Sequence, residues 1–126
     1  MKTIIHTSDA PKPIGPYSQA VRINNLVFTS GQIAINPKSG LLIEGTIQEE
    51  THQVMHNMQA VLNAAGLDFK QVLKSTIFVT DMDDFAAINE VYASYFDSDT
   101  APARETVQVA RLPKDVRVEI SMIASD

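Results

Sequence analysis

The run Ala103-Arg104-Glu105-Thr106-Val107-Gln108-Val109-Ala110-Arg111-Leu112-Pro113-Lys114-Asp115-Val116-Arg117-Val118-Glu119-Ile120-Ser121-Met122-Ile123-Ala124 decides the fold, because it holds two β-rich segments, the first leading into the second. Strands are expected around Glu105–Ala110 and Arg117–Ala124. Arg104 then stands at the mouth of the first strand and Glu119 lies inside the second. Charges so placed need a structural partner or a chemical use. The guanidinium fork of Arg104 suits a planar carboxylate or phosphate, and equally a structural ion pair with one of the 15 acidic residues. Glu105 is its chain neighbour, but strand alternation sends it to the opposite side. In the second strand a period of two sets Val116, Val118, Ile120 and Met122 on one face and Arg117, Glu119, Ser121 and Ile123 on the other. Partial desolvation there raises a carboxyl pKa and favours proton exchange near neutrality. The competing reading is a solvated edge, or a cross-strand pair with Arg117 or Lys74.

Working back from this run, Val72–Thr80 is dense in Val, Ile, Phe and Thr and reads as a central strand. A helix is expected from about Asp83 to Phe96, with Asp81 and Asp83 as N-cap candidates and Phe85, Ile88, Val91, Tyr92 and Tyr95 as its apolar stripe. An earlier helix begins at Thr46 or Gln48. Its apolar residues Val54, Met55, Met58, Val61, Leu62 and Ala65 recur three and four apart, and Gly66 supplies the stop. Gln19–Ile23 and Leu26–Thr29 form a hairpin through Asn24-Asn25, the second strand continuing to Ala34. Gly31 within that pattern marks a bulge or a backbone that something approaches closely. The order is hairpin, helix, strand, helix, strand, strand, in one domain spanning residues 1–126. Two helices on one face of a mixed sheet is the economical packing. The other sheet face needs a cover, most simply a second subunit.

Composition bounds the function. The 44% hydrophobic and 20% charged content is that of an ordinary globular domain. A net charge of -5 gives no general attraction to phosphate backbones, so a nucleic-acid partner is not expected. The absence of cysteine excludes disulfides, thiolate catalysis and cysteine-ligated metal centres. No segment reads as a signal peptide or membrane span, which makes the cytoplasm the default location and a membrane partner unexpected.

Other residues carry weaker signals. Tyr17 follows the proline-rich Pro11–Pro16 loop and is either a pocket wall or a structural plug. Ser30, Gly31 and Gln32 are read as exposing backbone N–H and C=O groups to a ligand, since Gly31 has no side chain to block access; a mere bulge at Gly31 is the equal alternative. Asn89 follows the core residue Ile88, where solvent contact or a cap is the simpler account. His52 and His56 share a helix face, but His-Gln-Val-Met-His lacks the glutamate of the zinc protease motif. No metal site is expected from these or from His6, and Ser18, Ser30 and Thr106 show no spacing that establishes a nucleophilic triad.

Seven collinear motifs together resemble the RidA family of reactive-intermediate deaminases. They are Ile14-Gly15-Pro16-Tyr17-Ser18-Gln19, Phe28-Thr29-Ser30-Gly31-Gln32-Ile33, Ala64-Ala65-Gly66-Leu67, Phe78-Val79-Thr80-Asp81, Phe85 through Asn89-Glu90-Val91-Tyr92, Pro102-Ala103-Arg104, and Val109–Asp115 followed by Val118-Glu119-Ile120. The resemblance implies a chorismate-mutase-like α/β fold, a homotrimer with sites in the clefts between subunits, and hydrolysis of 2-enamino and 2-imino acids to 2-oxo acids and ammonia. It implies that Arg104 holds the substrate carboxylate, that Glu119 positions or activates water, and that Tyr17 lines the site. Ser30, Gly31 and the backbone of Thr106 would orient the imine, with Asn89 in support. No metal or redox cofactor is required for such chemistry.

Three departures from the family pattern stand out. Thr106 replaces a common cysteine, Glu105 a common serine, and Ser121 a common second glutamate. Two other functions known among relatives compete with deamination. One is a small-molecule-binding regulatory module of purine or amino-acid metabolism; the other is RNA cleavage or translation inhibition, which would draw on Arg22, Lys114 and Arg117.

Overall fold

The structure, a computed structural model, describes residues 1–126. Eight main elements follow one another: β1 (Thr3–Ile5), β2 (Ala20–Ile23), β3 (Leu26–Thr29), α1 (Ile47–Ala64), β4 (Val72–Val79), α2 (Phe85–Ala93), β5 (Ala103–Gln108) and β6 (Val118–Ser125). They build one mixed sheet in the order β1-β2-β3-β6-β4-β5, in which only the β4–β5 pair is parallel. The α2 connection makes this pairing possible, since parallel neighbours need a crossover.

Both helices pack on one face. Val54, Met55, Met58, Val61 and Leu62 of α1 join Ile88 and Tyr92 of α2 over Ile77, Val79, Val118, Ile120, Met122 and Ala124 in one buried cluster. The three-and-four spacing of the α1 residues supplies that stripe. Thr46 caps α1: its hydroxyl accepts from Glu49 N while Glu49 reaches back to Thr46 N. Gly66 ends it at φ +77. On the opposite sheet face, Leu26, Phe28 and Val107 remain exposed beside the half-buried Phe78 and Ile123. This is the uncovered face that the element order predicts.

Several boundaries differ from expectation. β1 pairs with β2 through Thr3↔Arg22 and Ile5↔Ala20, a strand too short for its pattern to stand out. α2 stops at Ala93 rather than Phe96, because Ser94, Tyr95 and Phe96 bond three residues back and tighten into a narrower turn. Asp81 caps the short turn before α2 by accepting from Asp83 N, and Asp83 caps nothing. β5 begins at Ala103, so Arg104 lies inside the strand instead of at its mouth. β6 begins at Val118, one residue later than expected.

β3 ends at Thr29 instead of running to Ala34. There Met122 N donates to the Thr29 side chain at 2.9 Å, and contact with β6 resumes only at the Gln32↔Ile120 bridge. The intervening Ser30-Gly31 is lifted out of the ladder. The bulge read from Gly31 is therefore real, and it opens toward Glu119.

Candidate functional site

Arg104 pairs in register with Ser75 of β4, which places its side chain on the helix-covered face. Its guanidinium carbon lies 5.1 Å from the Tyr92 ring centroid and 5.6 Å from that of Phe85. Nη1 donates to Asn89 Oδ1 at 2.5 Å. Beneath it, Tyr92 OH donates to Ser75 Oγ at 2.8 Å, so the supporting ring is itself fixed. No carboxylate comes within ion-pair distance of Arg104; the four ion pairs of the chain are Arg22–Asp126, Lys74–Glu105, Arg111–Asp115 and Arg117–Glu50. Aromatic faces and a neutral amide orient the cation without neutralising it. This arrangement suits a planar anion arriving from outside. Asn89, for which solvent contact was the simpler reading, is a direct partner of Arg104.

Glu119 pairs in register with Phe78 and so projects from the face opposite the helices. The two cations expected as cross-strand partners are engaged elsewhere, and none lies within ion-pair distance. Lys74 reaches Glu105 at 3.4 Å, and Arg117 Nε donates to Glu50 at 2.8 Å. Half-buried and unpaired, the Glu119 carboxyl has its pKa pushed up by burial. A cleft of about 250 Å³ opens above it, walled by Lys12, Ile14, Tyr17, Ile33, Ile35 and Pro113. A Cβ on Gly31 would meet Glu119 Cδ and Oε2 at 2.7 Å, so the carboxylate occupies space that only glycine leaves free. Neither the N–H nor the C=O of Gly31 has a partner within the chain. Carboxylate and free backbone groups therefore meet at one point.

Comparison with known proteins places these features in a family. The family model described as Endoribonuclease L-PSP matches residues 7–126. A RutC family protein of Pyrococcus horikoshii is 52% identical, covering 98% of each chain. The mouse 2-iminobutanoate/2-iminopropanoate deaminase is 45% identical over 98% of this chain and 91% of its own. This chain belongs to the RidA (L-PSP) family. The crystal structure of E. coli TdcF with bound serine superposes with a TM-score of 0.92 at 47% identity, covering 98% of each chain.

The RidA motifs of this chain gather around two places rather than one. Tyr17 and Gly31 join Glu119, whereas Asn89 and Thr106 belong with Arg104. Tyr17, half exposed, closes a tight turn in which its N–H donates to Gly15 O at 2.9 Å. Ser30 lies beside Gly31, but its hydroxyl donates to Ser18 O at 2.6 Å and its N–H to Gln19 O, so its side chain works within the loop. Thr106 pairs with Ile77 and faces the helices; its hydroxyl is buried without a partner, which leaves its backbone on the edge strand as the accessible part.

Sequence reasoning missed the supports. Asn57 of α1 is buried and donates to Ile33 O and Ile35 O at 3.0 and 2.9 Å, holding the loop that follows Gly31. Buried Glu50 accepts from both the backbone N and Nε of Arg117, two residues before Glu119. Buried polar residues on a predicted helix were the available signal for both. Arg22 pairs with Asp126 and donates to Ala65 O, so two of the three cations considered for an RNA surface are occupied.

Proposed function

We propose that this protein hydrolyses 2-imino acids, the tautomers of enamines such as 2-aminoacrylate and 2-aminocrotonate, to 2-oxo acids and ammonia. The observation that carries the reading is the pairing of an oriented, unneutralised Arg104 with an unpaired Glu119 set against the free backbone of Gly31. The names of the mouse relative and of the Arabidopsis Reactive Intermediate Deaminase A, 44% identical over 98% of this chain, support it. So does TdcF, whose bound serine carries the same α-carboxylate as the proposed substrate.

Arg104 and Glu119 lie on opposite faces of one sheet, so a single chain does not close the site. In our reading, Arg104, Asn89 and the Thr106 backbone of one subunit meet Glu119, Gly31, Ser30 and Tyr17 of the next. The exposed Leu26, Phe28 and Val107 mark a face that gains from being covered. Unlike patches joined head to tail close into a ring, and the family resemblance implies three members.

The chemistry follows from these groups. Arg104 binds the substrate carboxylate through two parallel hydrogen bonds and fixes the plane of the C=N bond. A water near Glu119 adds to C2 of the protonated imine as the carboxylate accepts a proton, forming a carbinolamine. Glu119 then returns that proton to the nitrogen. As the carbinolamine collapses, Glu119 takes the hydroxyl proton, the C–N bond breaks, ammonia leaves and the 2-oxo acid remains. Burial raises the Glu119 pKa and the guanidinium of the next subunit opposes that rise, so the carboxylate can accept a proton and give it back.

The test is a rapid assay on 2-iminobutyrate generated in situ, with appearance of 2-oxobutyrate compared with buffer alone. Acceleration that falls to the buffer rate in both Arg104→Ala and Glu119→Gln supports the reading. Tight 2-oxo acid binding without acceleration favours a regulatory binding module. The family description also names endoribonuclease activity. RNA cleavage by nuclease-free protein that survives Glu119→Gln would support that function instead.

A further inference from the structure

The outer face of α1 carries two imidazoles that the proposed chemistry does not use. His52 and His56 are exposed, with ring centroids 6.1 Å apart and planes inclined by 39°. Tyr95 stands edge-on to both, at 5.7 and 6.2 Å. Its hydroxyl lies 2.7 Å from His52 Nδ1, and its ring packs against Phe69 at 5.5 Å.

We propose that His52 and His56 chelate a divalent transition-metal ion of the Zn2+ or Cu2+ class, with Tyr95 orienting the first imidazole. Residues four apart on a helix project from one face, one above the other. Two imidazoles sharing an ion at metal–nitrogen distances of about 2.0–2.1 Å have centroids roughly 5 Å apart, about 1 Å closer than here, a change that side-chain rotation on the exposed helix face can supply. The contact with Tyr95 is what distinguishes this pair from two solvated histidines. When His52 Nδ1–H donates to the phenol oxygen, Nε2 keeps its lone pair for a metal, the outer hydrogen bond that ligating histidines usually make.

No third His, Asp or Glu joins the pair. Water fills the remaining positions, which makes this an exchangeable surface chelate rather than a closed structural centre. Imidazole nitrogen selects Zn2+ or Cu2+ over the oxygen-seeking Mg2+ and Ca2+. The missing glutamate of the protease motif removes a general base for hydrolysis, not the two ligands. The site stands apart from Arg104 and Glu119, and its failure would leave the deaminase reading untouched.

The test is calorimetric titration of the untagged, full-length protein with ZnCl2, and separately with CuCl2, in a non-coordinating buffer. One ion per chain is expected. His52→Gln and His56→Gln should each weaken binding by at least about tenfold, Tyr95→Phe by several-fold, and His6→Gln not at all. Absence of binding heat in the wild type, or affinity unchanged in both His52→Gln and His56→Gln, overturns the proposal. Tyr95→Phe binding equal to wild type overturns the orienting role of the phenol.

Discussion

Arg104 and Glu119 leave the sheet from opposite faces. Arg104 shares a register position with Ser75 under α2, and Glu119 shares one with Phe78 on the uncovered side. The cation is held by neutral groups, and no cation lies within ion-pair distance of the carboxylate. In the proposed reading, one surface binds the anion and the other transfers the proton.

The Gly31 contact gives the most local prediction. In Gly31→Ala the new Cβ would stand 2.7 Å from Glu119 Cδ and Oε2, so the carboxylate must turn away. A displacement of about 1 Å at a reacting group costs on the order of 100-fold in rate. We expect kcat for 2-iminobutyrate to fall by about that factor while the thermal unfolding midpoint changes little. Wild-type activity in Gly31→Ala would show that Glu119 does not need its present position.

Asn89 tests why Arg104 is left charged. Asn89→Asp would convert a neutral partner at 2.5 Å into a carboxylate that competes with substrate for the guanidinium. We expect KM to rise about tenfold or more, with the fold unchanged or slightly more stable. Asn89→Ala removes the positioning contact without neutralising the charge and should raise KM less. The reverse order of the two KM values would contradict the argument.

Burial of Glu119 gives a pH prediction. In an Arg104→Ala background no guanidinium from a neighbouring chain offsets the burial, and the folded pKa lies above the ordinary value. A raised carboxyl pKa contributes stability below the unfolded pKa of about 4.3 and loses it as pH rises through the folded value. Glu119→Gln, which mimics the protonated acid, should therefore match its parent near pH 4 and exceed it at pH 7.5. Urea midpoints at equal protein concentration read the difference, and a Gln variant weaker than its parent at pH 7.5 would contradict it.

Much of this arrangement was legible in the chain. Period-two alternation in Val116–Ile123 put Glu119 opposite the core face, and the same rule separated Glu105 from Arg104; the Lys74–Glu105 pair bears this out. The three-and-four spacing of α1, the Asn24 turn at φ 52 and the Gly31 bulge also read correctly, because each depends on nearby residues. What escaped depends on distance in sequence. Asn89 meets Arg104 only because β5 lies parallel to β4, and Glu50 finds Arg117 across 67 positions. Local pattern named the cations able to pair with Glu119, but only the assembled sheet showed that both were engaged elsewhere.

In the proposed assembly one site draws Arg104 from one chain and Glu119 from another. The most direct measurement is complementation: Arg104→Ala and Glu119→Gln, each inactive alone, are unfolded, mixed in equal amounts and refolded together. Random assembly restores about a quarter of sites with both native groups, so about a quarter of wild-type deaminase activity should return. If the two groups acted within one chain, the mixture would stay as inactive as its components, and that result would contradict the account.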